Sequence, residues 1–365
     1  MDLDWRGLLK LNQDEVMGLD IGSSAVKMVQ LRKDDAGWLV TAAGIVDIAQ
    51  GEDKNGSDET NTVKAIRDCL RSSAIKSRFA VCSVCGPEVA VRHFQFPSLP
   101  DAEIAGAVIL EAEQVCPFNI SDASVDYQLI SDGQNNVSGI LVAATNKLIK
   151  RKKRLAEGAY LTSVLMDIDG LALLNCFKGF AFCRKSQNGL GGECEENRSS
   201  ETIAILNVGS SFTNLAIRGN DALPFIRDMA YSGNDIVKQI AIENNVCPEI
   251  VGKILFGCEI PGQAPLELGD SLTRACQKLI VDVAETLRYY TSQKVSPVVE
   301  KIFVCGGFAL VKGFVELLDN MLAARAVLWN PFDKIRCDSG RMCEDILGKN
   351  GPAMAVAAGL AMRSI

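Results

Sequence analysis

Met17-Gly18-Leu19-Asp20-Ile21-Gly22-Ser23-Ser24-Ala25-Val26-Lys27 is the stretch on which the fold turns. An apolar run ends at an aspartate, a Gly-Ser-Ser turn follows, and alternation resumes through Leu31. Short apolar runs bounded by glycine and serine read as strands joined by a tight turn. A second turn, Lys33-Asp34-Asp35-Ala36-Gly37, leads into a third alternating run, Trp38 to Ile48. Together they predict an antiparallel meander. Asn61 to Ser73 then carries apolar residues at helical spacing, with Asn61 as a candidate cap.

The same pattern returns later in the chain. Thr202 to Asn207 reads as a strand, Gly209-Ser210-Ser211 as a turn, and Thr213 to Ile217 and Ala222 to Met229 as strands. Asp20-Ile21-Gly22-Ser23-Ser24 and Asn207-Val208-Gly209-Ser210-Ser211 lie 187 residues apart. Repetition of a whole unit at that distance predicts two similar lobes.

Between the repeats, residues 79 to about 145 read as a separate unit. Strands Phe79–Val84 and Ala90–Phe96 lead to a helix from Asp101 to Val115, which Cys116-Pro117-Phe118 stops. Strands Val125–Ile130 and Gly139–Ala144 and a helix over Asn146–Ala156 follow. Leu161–Asp167 returns to a strand, and Asp169 can cap a helix over Gly170–Phe180. Residues 184–201 are rich in Gly, Ser, Asn and Glu and read as a mobile surface loop. After the second meander come a helix pair over Gly233–Asn244 and Pro248–Phe256 and a long helix over Asp270–Lys294. A strand at Lys301–Val304 then runs into Cys305-Gly306-Gly307. A helix over Leu310–Leu322 and a strand at Ala326–Leu328 follow. The final Gly351–Met362 segment, rich in Ala and Gly, suits close packing against another helix.

A turn built of Gly and two hydroxyl residues can wrap a phosphate. Glycine lets the backbone approach, successive N–H groups form a nest, and Ser23 and Ser24 add donors. Lys27 can offset phosphate charge, and Asp20 can hold Mg²⁺ through water. One such turn is weak evidence; two, each opening a meander, carry more. The second supplies Asn207, Gly209, Ser210, Ser211 and Thr213. Gly306-Gly307 gives a third close approach, where a base or ribose can lie on bare backbone. No G-x-x-x-x-G-K-[ST] occurs and no G-x-G-x-x-G follows a strand, so P-loop and Rossmann chemistry are unsupported.

Composition narrows the classes further. The 365-residue chain is 48% hydrophobic and 23% charged, enough to fill a large core. Its net charge of −7 gives no overall drive toward nucleic acid or anionic lipid. The basic run Lys147–Arg154 reads as a solvated helix face, with a lipid or phosphate patch as its alternative. His93 is the only histidine, which removes His-based triads and His metal clusters; it reads as an ordinary strand residue. Thirteen cysteines, no basic leader in Met1-Asp2-Leu3-Asp4-Trp5 and no apolar run of membrane-spanning length imply a reduced, cytoplasmic setting without direct membrane insertion. Cys82-Ser83-Val84-Cys85 has thioredoxin spacing but sits in a strand-like run, which argues against a redox role.

The order of phosphate loop, helix, phosphate loop, Gly-Gly and helix, over Val16 to Met362, resembles the superfamily of actin, chaperone ATPases and sugar kinases. Within it, the chain resembles the PilM family of type IV pilus assembly proteins. The opening stretch, Cys116-Pro117-Phe118 with Asp126-Tyr127-Gln128, and Met166-Asp167-Ile168-Asp169 carry that resemblance. So do Phe225-Ile226-Arg227-Asp228 with Gly233, Trp329-Asn330-Pro331-Phe332 and the Ala-rich end. It implies a two-lobed α/β actin-like fold, a duplicated ribonuclease H-like unit, with the inserted subdomain found in PilM and the division protein FtsA. The expected parts are lobe I core at 14–78, insertion at 79–160, and lobe I core with a first connecting helix at 161–183. The loop at 184–201 separates these from lobe II at 202–350, which includes a small subdomain at 233–296. A second connecting helix at 351–365 returns to lobe I.

The resemblance also implies a cleft for ATP with Mg²⁺ and a groove for the N-terminal cytoplasmic tail of the membrane protein PilN. The setting would be a pilus assembly platform at the inner membrane, beside motor ATPases, with an FtsA-like protein or an actin homologue of a secretion or competence system as the alternative. A homodimer is left open. It implies that Gly233 and a Glu and Lys after it face the ribose; Glu249 and Lys253 are the candidates, with a surface ion pair as the alternative. Two departures matter. Asn207 stands where such ATPases carry Asp, and an amide cannot take a proton, so at most slow hydrolysis is expected and no catalytic residue is assigned. An FtsA-like protein would end in a basic amphipathic helix, and here the sequence ends at Arg363-Ser364-Ile365. A small-molecule kinase would need an aspartate base, which no motif places.

Overall fold

The computed structural model describes residues 16–35, 37–49, 57–73, 75–130, 136–182, 202–219, 223–258, 269–293, 297–333 and 335–363. The opening acids and the loop expected at 184–201 lie outside them.

Lobe I opens with β1 (Val16–Ile21), β2 (Ala25–Asp34) and β3 (Gly37–Asp47), followed by α1 (Ser57–Ser73) and β4 (Phe79–Val84). A separate unit then holds β5 (Val89–Pro97), α2 (Asp101–Val115), β6 (Ala123–Ile130), β7 (Asn136–Thr145) and α3 (Asn146–Gly158). The chain returns through β8 (Thr162–Ile168) into α4 (Asp169–Phe182). Lobe II holds β9 (Ile203–Val208), β10 (Thr213–Arg218), β11 (Phe225–Met229), α5 (Gly233–Asn244), α6 (Pro248–Leu255), α7 (Gly269–Ser292), β12 (Lys301–Cys305), α8 (Phe314–Met321) and β13 (Arg325–Leu328). The last elements are β14 (Arg336–Cys337), α9 (Arg341–Asn350) and α10 (Ala355–Ala361).

The duplication is visible in strand order. One sheet runs β14-β3-β2-β1-β4-β8 and another β11-β10-β9-β12-β13. In both, the first three consecutive strands pair antiparallel, and the next two add in parallel on the far side of the first strand. Parallel additions need a helical crossover; α1 and α3 lead into β4 and β8, and α5–α7 and α8 lead into β12 and β13. The third sheet, β5-β7-β6, packs α2 through Phe94, Ile104, Val108, Ala112 and Leu141.

Several boundaries differ from the sequence expectation. The insertion begins after β4, not at residue 79, because β4 pairs with both β1 and β8 in the lobe I sheet. Lobe II ends before residue 350. β14 joins the lobe I sheet beside Leu39 and Val40 of β3, and Cys343 and Leu347 of α9 enter the core beneath it. α1 starts ahead of Asn61, so Asn61 is an interior residue whose amide donates to Ala49 O at 2.9 Å. The helix expected at Leu310–Leu322 is a short 3₁₀ turn over Gly307–Leu310 and then α8; Gly313, with φ of 81°, separates them.

The lobes share a spine. α4 and α10 cross so closely that a Cβ on Gly359 would lie 1.8 Å from Ala172 O. A Cβ on Gly18 would lie 1.9 Å from Ala357 O, so β1 also touches α10 backbone to backbone. Only glycine permits either approach. Around this crossing the 225–228 segment packs through Ile226, against which Gly170 also lacks room for a Cβ. Trp329 stacks edge-on to Phe177 and Phe303, and Asn330 ties the following turn to Leu347 O.

Candidate functional site

The two Gly-Ser-Ser turns have the same geometry. Gly22 N donates to Ala25 O at 3.1 Å, and Gly209 N donates to Phe212 O at 3.0 Å. In each turn a Cβ on the glycine would press on that same carbonyl, at 2.8 and 2.9 Å. The loops face one another across the lobes. Ser211 Oγ donates to Ser23 Oγ at 2.8 Å, and Ser24 Oγ meets Ser210 Oγ at 2.5 Å. The first serine of each loop therefore meets the second serine of the other.

Beneath the first loop, Asp20 and Lys27 are cross-strand partners in β1 and β2 and form an ion pair at 3.0 Å, both largely buried. Lys152 of α3 reaches the same floor and donates to Ile21 O at 2.5 Å. Asp169, the first residue of α4, is buried beside them. Burial, then the Asp20 charge, raises its carboxyl above the usual range, against the pull of the Ser83 hydroxyl, Lys152 and the Cys85 thiol. Cys82 and Cys85 are free thiols pushed up by burial, the wrong direction for redox chemistry.

In lobe II the second loop is fixed from behind. Gly233 N and Asn234 N donate to Gly209 O and Ser210 O at 3.0 and 2.9 Å, and Ser232 Oγ donates to Ser210 O at 2.7 Å. A Cβ on Gly233 would meet Phe308 at 2.7 Å, so glycine lets α5 start against the loop. Fully buried Thr213 donates to Tyr231 O at 2.9 Å. Gly306 is explained by packing: φ is 92°, and a Cβ there would lie 2.4 Å from Val208 O and 2.6 Å from Asn207 Oδ1. Gly307, by contrast, has open space where a Cβ would be, so bare backbone is presented there. Glu249 and Lys253 lie on α6. Glu249 is exposed, and its carboxylate takes the Cys247 thiol, which lowers it; no Glu249–Lys253 ion pair forms among the described residues.

Asn207 begins a hydrogen-bond chain that leaves the site. Its Nδ2 donates to Asn214 Oδ1 at 2.8 Å, Asn214 Nδ2 donates to Asp228 Oδ1 at 2.8 Å, and Gly86 N of lobe I donates to Asp228 Oδ2 at 2.6 Å. Burial raises Asp228 to about 6, although both hydrogen bonds pull it down. Gly86, with φ of 100°, also lies under the Phe212 ring, where a Cβ would sit at 2.9 Å. His93 adds a nearby contact, Nε2 to Pro224 O at 2.9 Å.

These residues fit a nucleotide polyphosphate. Two glycine turns leave no room for side chains at the point of approach, and four serine hydroxyls that now satisfy each other can turn to phosphate oxygens. Lys27 and Lys152 oppose the added charge. Among the described residues no group of three or more His, Cys, Asp or Glu could hold a metal by itself. A magnesium ion here would therefore ride on phosphate and water, with Asp20 as its protein anchor. Sequence reading missed Asp169, Lys152, Asn214 and Asp228 as members of this region. Only the three-dimensional meeting of β1, α3, α4, β10 and β11 brings them together.

The sequence pattern of the family described as type IV pilus assembly protein PilM matches residues 18–365. Among solved structures, the chain is similar to a PilM–PilN type IV pilus biogenesis complex, with a TM-score of 0.77 at 23% identity, over 96% of this chain and 99% of that one. It is also similar to the ethanolamine utilization protein EutJ from Carboxydothermus hydrogenoformans, with a TM-score of 0.51 at 12% identity over 95% and 89% of the two chains. A diol dehydratase-reactivating factor in nucleotide-free form gives 0.50 at 10% identity over 94% and 98%. The shared architecture is the two-lobed actin-like fold.

Proposed function

Because the chain belongs to the PilM family of type IV pilus assembly proteins, we propose that it is a nucleotide-binding adaptor of a pilus assembly platform. In this reading the cleft takes ATP with Mg²⁺, and the protein binds the N-terminal cytoplasmic tail of a PilN-type membrane protein near the motor ATPases. The observation that carries the nucleotide half is the reciprocal pairing of Ser23 with Ser211 and Ser24 with Ser210, four hydroxyls on two glycine turns. Support for the partner comes from family membership and from the likeness to a PilM–PilN complex. No helix among the described residues is long and apolar enough to cross a membrane, so attachment through a membrane partner suits the chain.

When bound, the triphosphate would supply charge and a bridge between the lobes. The serine hydroxyls and the turn N–H groups would hold the phosphates, Asp20 would anchor the ion's water shell, and the half-buried backbone at Gly307, with space above it, would lie along the nucleoside. Asn207 has its amide nitrogen committed to Asn214 and can accept no proton. The arrangement is therefore suited to holding ATP more than to turning it over. The test is titration of the purified chain with the PilN tail peptide, with and without ATP–Mg²⁺. Saturable binding that changes with nucleotide is expected; no binding in either state contradicts the adaptor reading.

A further inference from the structure

Helix α3 carries Lys147, Lys150, Arg151, Lys152, Lys153 and Arg154 against one acid, Glu157, in a chain whose net charge is −7. The helix divides these cations by face. Lys152 turns inward to Ile21 O, and Arg151 donates to Glu59 at 3.1 Å. Leu155 and Ala156 are buried. Lys147, Lys150, Lys153 and Arg154 turn outward and line one shallow groove with Glu157. Lys153 is partly offset by Glu157 at 3.8 Å, whereas Lys147, Lys150 and Arg154 make no ion pair among the described residues.

A second feature stands at the foot of the same helix. Tyr160 is 77% exposed and has φ of 62°, a left-handed conformation that a bulky residue adopts only under constraint. Arg67 fixes it there: its guanidinium donates to Gly158 O at 2.5 Å and lies 5.0 Å from the Tyr160 ring centroid. The fold thus holds an aromatic ring out in solvent, beside a row of outward cations, at a position where glycine would be unstrained. Strain kept at an exposed aromatic points to a use outside the folded chain.

We propose that the outer face of α3, with Tyr160 and Arg67 at its foot, seats this protein on a bilayer surface rich in anionic phospholipid. Clustered Lys and Arg are drawn to anionic headgroups at about fivefold per residue, and tyrosine is enriched at the headgroup level. The exposed stripe lacks the large apolar side chains of an inserting helix, so the contact is electrostatic and orienting. Nucleic acid fits less well, because this one helix face would reach only a few phosphates of a duplex. The inference does not depend on nucleotide or tail binding, and tail titration on the same variants separates the two.

The test uses the full chain in co-sedimentation with vesicles of phosphatidylcholine, with and without phosphatidylglycerol, at low and high salt. Preference for the anionic vesicles, lost at high salt, is expected. K147E/K150E/R154E should weaken it at least tenfold, with tail binding and circular dichroism unchanged. Tyr160→Gly should weaken vesicle binding severalfold while raising thermal stability, a split that a purely structural tyrosine would not give. Equal binding to both vesicle types, unaltered binding by the triple variant, or binding of a DNA duplex in place of vesicles overturns the proposal.

Discussion

Ser211 donates to Ser23 across the lobes at 2.8 Å, and its neighbour Ser210 meets Ser24 at 2.5 Å. Contacts of the form i to j′ and j to i′ are what an approximate two-fold axis produces. The axis passes between two copies of one turn, each closed by the same glycine N–H to carbonyl bond. The duplicated sequence has therefore become a symmetric clamp of hydroxyls.

If those hydroxyls serve phosphate, each is worth roughly one charge-assisted hydrogen bond. Ser23→Ala and Ser211→Ala are each expected to weaken ATP–Mg²⁺ binding about tenfold, or ~1.5 kcal/mol. Stability should change by less than about 0.5 kcal/mol, since both hydroxyls are at the surface. Calorimetric titration and a thermal melt of each variant check this. Unchanged affinity would reassign the clamp to a purely structural role.

The spine makes a different demand. Ala at Gly18 or Gly359 would place a methyl within 2 Å of a backbone carbonyl, at 1.9 and 1.8 Å. Neither backbone can move without parting α4, α10 and β1. Each substitution is expected to cost about 3 kcal/mol, read as a fall in denaturation midpoint. Gly307→Ala, where a Cβ meets nothing within 4 Å, is the control and should be nearly silent.

Asp228 gives the lobe contact a pH dependence. Its folded pKa is raised from 3.8 to about 6, chiefly by burial. The folded state then binds more protons than the unfolded state between about pH 4 and pH 6. The contribution of this group to stability is full below pH 4 and is lost as pH rises through about 6. The difference amounts to at most ~3 kcal/mol. Asp228→Asn should flatten that part of the stability profile, measured by denaturant unfolding across pH 4–7. An unchanged profile would show that Asp228 is not the group responsible.

The lobes were legible in the sequence because the duplication preserved a turn. Gly-Ser-Ser recurs after an apolar strand, and short-range geometry forces the same structure twice. The Ala-Gly end was legible because small residues permit close helix contact, as Gly359 against Ala172 demonstrates. What was not legible depends on long-range pairing. β14 is two residues long and has no period to read, yet it moves the return to lobe I ahead of residue 350. β4 has the alternation of any strand, and only its pairing with β1 and β8 places it outside the insertion. Lys152 sat within a basic run that read as one solvated face, but helical geometry turns it to Ile21. Asp169 read as a cap, and its place beside Asp20 follows from the meeting of two distant strand ends.

Calorimetric titration of wild type and Asp20→Ala with ATP–Mg²⁺ decides whether the paired loops hold the nucleotide. Saturable binding near one equivalent by the wild type, dependent on Mg²⁺, and a loss of at least tenfold in Asp20→Ala are expected. Wild-type chain that takes up no nucleotide, or an Asp20→Ala variant that binds as tightly as wild type, would contradict nucleotide binding by the loops.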